Sequence, residues 1–365
     1  MKEKKHNQAM ILAAGVGSRL DPLTSQIPKP LCPILGKPVM EHIISLCKHH
    51  GFTNLSANTH VMADQISEHF KNIDKTGVKL NLVYEKQLTG VAGGIRSCRK
   101  HLTDEVILII MSDALTDVDL TELYETHINS DCAVTAAIKE VEDTSQYGVA
   151  VTDKNNRIIS FQEKPKPEDA KSNLANTGMY FFNQSVLDEI PPESEILKFD
   201  VATDLFQKLM AKKIPIQAIK TKKYWADIGT LKQYLQSIKD TLEGKVSITI
   251  NAEKTSFGYV GKGIQIDPSS RLEGKIYLGE NVKIGGNVKI TGFAYVEKNC
   301  TINANSYINN SIIWSNSTIG QNVKIINSIL ANNCMVSDGT EMISNSVWAP
   351  ATVIGNNSKP SVVFK

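Results

Sequence analysis

Gly15, Gly17, Ser18 and Arg19 follow an apolar run ending at Leu12, and Lys29 stands between Pro28 and Pro30 a short way on. Bare glycine amides can wrap an anion, an arginine and a lysine can neutralise it, and flanking prolines fix the backbone that carries the lysine. That set suits an anion. Two familiar phosphate loops are excluded. The third glycine of G-x-G-x-x-G would fall at Leu20, with helix-hostile Asp21-Pro22 next, and no G-x-x-x-x-G-K-[ST] occurs. Taken alone, glycines with Arg19 and Lys29 also suit an ordinary surface turn.

The elements that must hold these residues are legible in the apolar pattern. From residue 8 to about 242, runs such as QAMIL, NLSAN, VKLNLVY and VILIIM alternate with helix-like VMEHIISLCKHH, MADQISEHF and DLTELYETH. Continuous apolar strands separated by helices predict an α/β domain, Rossmann-like, with a mostly parallel sheet covered on both faces. After Gly244 the helix patterns stop. Counting in sixes, Ile266, Leu272, Leu278, Ile284, Ile290, Val296, Ile302 and Ile308 are all aliphatic; after a slip the count resumes at Ile313, Ile319 and Ile325. Period six predicts a parallel β-helix with stacked aliphatic side chains. The expected domains are 1–245 and 246–365, the first with its own core and able to survive removal of 261–365.

Composition narrows the partners. Lys plus Arg number 40 against 38 Asp plus Glu, a formal charge of +2, which leaves no footprint for nucleic acid or an acidic membrane. The Lys-rich start MKEKKHNQ lacks an apolar signal region, and no apolar run is long enough to span a bilayer, so a cytoplasmic protein is expected. Six scattered cysteines (Cys32, Cys47, Cys98, Cys132, Cys300, Cys334) without Cys-x-x-Cys pairing read as buried, reduced thiols.

Gly-Val-Gly-Ser-Arg-Leu-x-Pro-Leu-Thr followed by Pro-Lys-Pro-Leu resembles the signature of the sugar-1-phosphate nucleotidyltransferases, or NDP-sugar pyrophosphorylases. The resemblance continues through Gly90-Val-Ala-Gly93-Gly94, Ser112-Asp113, Tyr147-Gly148-Val149, Phe161-Gln-Glu163-Lys164-Pro165, Asn176-Thr-Gly178-Met-Tyr180 and Trp225-Ala-Asp227-Ile-Gly229. It covers nearly the whole chain, the C-terminal part resembling a left-handed hexapeptide β-helix. Three positions depart from it: Ala14 where many members have Gly, Val91 where Thr is usual, and Ser112 in place of Gly.

The resemblance implies attack by a sugar-1-phosphate oxygen on the α-phosphorus of an NTP, with pyrophosphate leaving. A phosphate monoester is largely dianionic at neutral pH, its second pKa being about 6, so the nucleophile needs no base. All eight histidines lie outside the motifs. The nucleotide side would comprise Leu12, Ala13, Ala14, Gly15, Gly17, Ser18, Arg19 and Gly90, with Arg19 and Lys29 on the triphosphate. Asp113 follows VILIIM, at the expected carboxyl end of a buried strand, and with Asp227 would share a Mg²⁺. Gly148, Glu163, Lys164, Asn176 and Gly178 would take the sugar phosphate. The pair implied first is GTP with mannose 1-phosphate. Glucose-1-phosphate adenylyl or thymidylyl transfer, or a non-catalytic sugar-nucleotide sensor, stay open beside it. An acyltransferase role for the β-helix is disfavoured, since no histidine follows His127. A homo-oligomer is expected. Arg96 and Arg99 are expected on the surface.

Overall fold

A computed structural model describes residues 7–343 and 345–364; the Lys-rich start, His6 included, lies outside them. The chain forms two compact units. One comprises residues up to Val16 with Ile43–Asp227; the other comprises Gly17–His42 with the residues from Ile228 onward. The division falls before 245 and gives the glycine and proline arm to the second unit.

In the first unit the strand Gln8–Leu12 pairs in parallel with Asn54–Thr59 on one side and Val106–Met111 on the other. Lys79–Tyr84 continues the parallel set beyond Asn54–Thr59. Leu174–Asn183 then runs antiparallel to Val106–Met111 and to Val134–Glu140, and Gly148–Thr152 pairs antiparallel with Ile158–Glu163. The parallel strands are the continuous apolar ones: Gln8–Leu12 is buried at every position and Val106–Met111 at all but its last. Such strands require cover on both faces. The core joins Met10, Ile107 and Ile109 to Phe182, Phe206 and Leu209. Asp119 starts the helix Leu120–Ile128 by accepting hydrogen bonds from the amides of Thr121 and Glu122, at 2.9 and 3.1 Å.

The second unit places the period-six residues in three columns of parallel pairs. Ile266, Ile284, Ile302, Ile319, Val336 and Ile354 form one. Leu272, Ile290, Ile308, Ile325 and Met342 form the next. The third is Val260, Leu278, Val296, Ile313, Leu330 and Trp348. Side chains in the middle of each column are buried against one another, whereas Ile266, near the open end, is 37% exposed. The slip in the count is a register shift between Thr291 and Ala294 of one strand and Asn309 and Ser311 of its partner.

Asparagine makes the corners. Asn281, Asn299, Asn316 and Asn333 all have positive φ and pass side-chain hydrogen bonds along the stack. Asparagine tolerates the left-handed region better than other residues with a Cβ. All six cysteines are buried free thiols, and burial pushes those of Cys47, Cys98 and Cys300 up to about 12. Among the described residues no helix is long and apolar enough to cross a membrane.

Candidate active site

In the first unit the anchoring contact is between two parallel strand ends. Leu12 lies opposite Met111, and the Ser112 amide donates to the Leu12 carbonyl at 3.1 Å. The segment Ala13–Gly15 therefore leaves the sheet beside Asp113, at the carboxyl ends where open α/β sheets bind ligands. Ala13 and Ala14 are buried and Gly15 is exposed. The strand Trp225–Asp227 pairs antiparallel with Ala114–Thr116, and its register sets Asp227 opposite Ala114, the residue after Asp113. Sequence positions more than a hundred residues apart are thus cross-strand neighbours. Both carboxylates are half-buried.

That donor set can be tested against a metal. Among the described residues no group of three or more His, Cys, Asp or Glu converges on one point. Two carboxylates alone suit Mg²⁺, which keeps several waters and takes phosphate oxygens, and are too few for a closed structural zinc site.

The sugar-side candidates gather on the antiparallel part of the same sheet. Glu163 lies opposite Gly148, and a Cβ on Gly148 would stand 3.1 Å from Glu163 Oε2. Lys164 has φ 44°, its amide donates to the Tyr147 carbonyl, and its ammonium is 3.3 Å from Glu163 Oε1. Both side chains are half-exposed; such a pair contributes little to stability and leaves both groups open to a ligand. The pairing of Leu174–Asn183 with Val134–Glu140 is irregular between Asn176 and Tyr180. Bulges of this kind re-aim side chains beside active sites. Here the bulge turns Gly178 (φ 75°) against the Met111 side chain, where a Cβ would collide. Asn176 donates to the Tyr180 hydroxyl at 2.7 Å and accepts from the Gly178 amide. Tyr147 and Trp225 rings lie 5.3 Å apart, and the buried Trp225 Nε1–H has no partner among the described residues.

In the second unit Gly17 has φ 74°, and the space a Cβ would take is filled by Lys29, whose Cβ would be 2.9 Å away. Lys29 is buried at 7% exposure while Ser18 and Arg19 are exposed. The Thr24 hydroxyl ties Gly17 to Asp21, at 3.0 Å from the Gly17 carbonyl and 2.8 Å from the Asp21 carboxylate. The proline-framed lysine thus packs its stem on the second glycine of the loop.

Other groups carried no signal in the sequence. The Ala13 amide donates to Asn58 Oδ1 at 3.0 Å, and the Asn58 amide donates to Glu85 at 2.6 Å. Thr89 and Ser97 also face the Glu85 carboxylate. Asn58, Glu85 and Thr89 are buried, so this chain holds the loop entrance from behind. The charged pair Glu85-Lys86 between NLVY and LTG was its only trace. Gly90 has φ 81° and lies so close to Phe199 that a Cβ would stand 2.6 Å from its carbonyl oxygen. The Val91 amide is taken by Asp200 at 2.9 Å. Arg99 lies on the surface, its side chain 40% exposed and paired with Asp188, whereas Arg96 is half-buried and donates to the Pro191 and Ile196 carbonyls, pinning the segment after the long antiparallel strand.

A sheet whose parallel strand ends launch Ala13–Gly15 beside Asp113 has the layout in which open α/β domains bind ligands. The chain belongs to the nucleotidyl transferase family, whose model matches residues 8–244. A second model, the LbH domain of the EIF2B epsilon subunit, matches residues 256–359. The chain is 34% identical over 323 residues to a UTP–glucose-1-phosphate uridylyltransferase from Synechocystis sp., covering 84% of this chain and 82% of the relative. It is 28% identical over 307 residues to a putative mannose-1-phosphate guanyltransferase from Sulfolobus acidocaldarius, covering 84% and 75%. A putative glucose-1-phosphate thymidylyltransferase structure from Bacillus anthracis shares the fold, with TM-score 0.57, 24% identity, and coverage of 64% of this chain and 94% of that one.

Proposed function

We propose that this chain transfers a nucleotidyl group from an NTP to a hexose 1-phosphate, releasing pyrophosphate, with GTP and mannose 1-phosphate as its pair. The observation that carries the reading is the register that sets Asp227 opposite Ala114, the residue after Asp113, near the strand end that also launches Ala13–Gly15. A sugar-phosphate oxygen forms the new bond to the α-phosphorus as the bond to the β-phosphate oxygen breaks, and the electron pair leaves with pyrophosphate. Lys164 and Glu163 hold the sugar phosphate and its hydroxyls, with Gly148, Asn176 and Gly178 shaping that side. Arg19 and Lys29 neutralise the triphosphate and the leaving group, which is where charge develops. Asp113 and Asp227 would hold Mg²⁺, which when bound supplies positive charge to the phosphate oxygens. No general base is assigned. His127 is spent on Thr135 and Asn183, and His42 on the Ile34 carbonyl.

The three aliphatic columns support a left-handed parallel β-helix, in line with the period of six and the LbH match. UTP with glucose 1-phosphate is the second reading, favoured by the 34% relative. Pyrophosphate release is to be measured for each of the common NTPs against mannose, glucose and N-acetylglucosamine 1-phosphates. Highest kcat/KM with GTP and mannose 1-phosphate is expected; a UTP and glucose maximum selects the second reading, and no release with any pair removes the enzyme.

A further inference from the structure

The arm that carries Lys29 ends in a hairpin whose tip is gripped by aromatic residues from far down the chain. Pro33–Ile34 pairs with Lys37–Pro38 across Leu35 (φ 43°) and Gly36 (φ 83°). Leu35 and Ile34 are fully buried, although a hairpin tip is ordinarily solvated. Tyr295 accepts a hydrogen bond from the Gly36 amide at 3.3 Å and donates its own to Glu297, which also accepts from Ser315 at 3.0 Å. The Tyr277 hydroxyl occupies the space a Gly36 Cβ would need. Tyr234, on the helix Leu231–Leu242, donates to the Pro33 carbonyl at 2.6 Å and accepts from Trp314 Nε1 at 2.8 Å. Tyr234, Tyr295 and Trp314 are 0% exposed. Burial, then the neighbouring Glu297 charge, push the Tyr295 hydroxyl well above its usual range, so it stays a donor.

Little between this grip and Lys29 can flex. Pro28, Pro30 and Pro33 fix their own φ. The Leu31 and Cys32 amides donate to the Pro28 and Lys29 carbonyls, the Val39 amide to the Cys32 carbonyl, and His42 to the Ile34 carbonyl. A displacement at Gly36 therefore reaches Lys29.

We infer that Tyr234, Tyr295 and Trp314 are positioning residues for NTP binding: they latch the hairpin tip, whose Gly36 lies against the Tyr277 hydroxyl, and so hold Lys29 against Gly17. The inference rests on the reading of Lys29 as a triphosphate contact, while the latch itself does not. The C-terminal stack is then the mount of the phosphate-handling arm.

The test uses the full chain with Gly36→Ala, Tyr277→Phe, the double variant and Trp314→Phe. Calorimetric titration with Mg·GTP and Mg·UTP reads affinity without turnover, and hydrogen exchange reads the 28–40 amides without ligand. Gly36→Ala meets both a collision and a strained φ, so faster exchange of 28–40 and about tenfold weaker NTP binding are expected, the loss typical of one charge-assisted contact. Sugar-phosphate affinity should stay within about twofold, as a general loss of folding would not allow. Tyr277→Phe alone should be silent, and the double variant should regain part of both losses because the hydroxyl is gone. Trp314→Phe keeps an aromatic ring but removes the donor to Tyr234, and should loosen the arm less than Gly36→Ala. Unchanged exchange in Gly36→Ala would overturn the latch. Faster exchange with unchanged NTP affinity would overturn its role in positioning. A parent that binds NTP but releases no pyrophosphate would remove the proposed reaction and leave this inference standing.

Discussion

Asparagine keeps the outline of aspartate and discards its charge, which makes it the sharpest probe of Asp113 and Asp227. Each is half-buried, and the register sets Asp227 opposite Ala114, the residue after Asp113. If they share one ion, Asp113→Asn or Asp227→Asn should each lower kcat about 100-fold, as at other preorganised electrostatic sites. The double variant should lose little more than the worse single one, because groups acting as a unit are not additive. Raised Mg²⁺ or Mn²⁺ should restore part of the single losses. The measurement is kcat against metal concentration for all four proteins. Near-normal turnover of either single variant at limiting Mg²⁺ would return that aspartate to a structural role.

At the scale of elements, what could be read ahead and what could not divides along physical lines. Strands such as Val106–Met111 and the aliphatic columns were legible because burial on both faces, or in a stack, writes a continuous or periodic apolar code. The placement of Asp113 followed from the same code. The bulge at Asn176–Tyr180, the Asn58–Glu85 support and the buried hairpin at Leu35–Gly36 were not legible, because each depends on partners distant in sequence. The asparagine corners were not legible either, because positive φ and a side-chain ladder leave no apolar mark. Asn299, with φ 59°, accepts from Asn281 and donates to Asn316. Conformation and hydrogen bonding can be separated there. Asn299→Ala should cost about 1–2 kcal/mol, the left-handed penalty for a residue with Cβ, plus the lost ladder bonds. Asn299→Gly should cost less, since it removes the bonds and keeps the conformation. Denaturant midpoints of the three proteins check this; an alanine variant no worse than glycine would show the ladder, rather than the backbone, to be what asparagine supplies.

For the whole molecule, the question is whether the region before residue 245 works without the rest. The alternating pattern predicts a core of its own for that region, and one buried cluster, from Met10 to Ala218, lies within the first unit. Yet Gly17–His42 belongs to the other unit, and a cut after 245 removes Tyr277, Tyr295, Glu297 and Trp314 together. The Gly36 amide then loses its Tyr295 partner, and the Tyr277 hydroxyl no longer fills the space beside Gly36. Chain 1–245 should therefore keep its sheet by circular dichroism, but show unprotected 28–40 amides, a tendency to associate in light scattering, and weak NTP binding. A chain ending at 354 is the control. It retains every latch residue and the columns down to Ile354, losing only the terminal segment that pairs with Ser346–Val347, and should bind NTP like the parent. Were 1–245 monomeric, protected over 28–40 and equal to the parent in NTP affinity, the C-terminal stack would be an appendage, and the aromatic grip on the arm would be packing without consequence for the site.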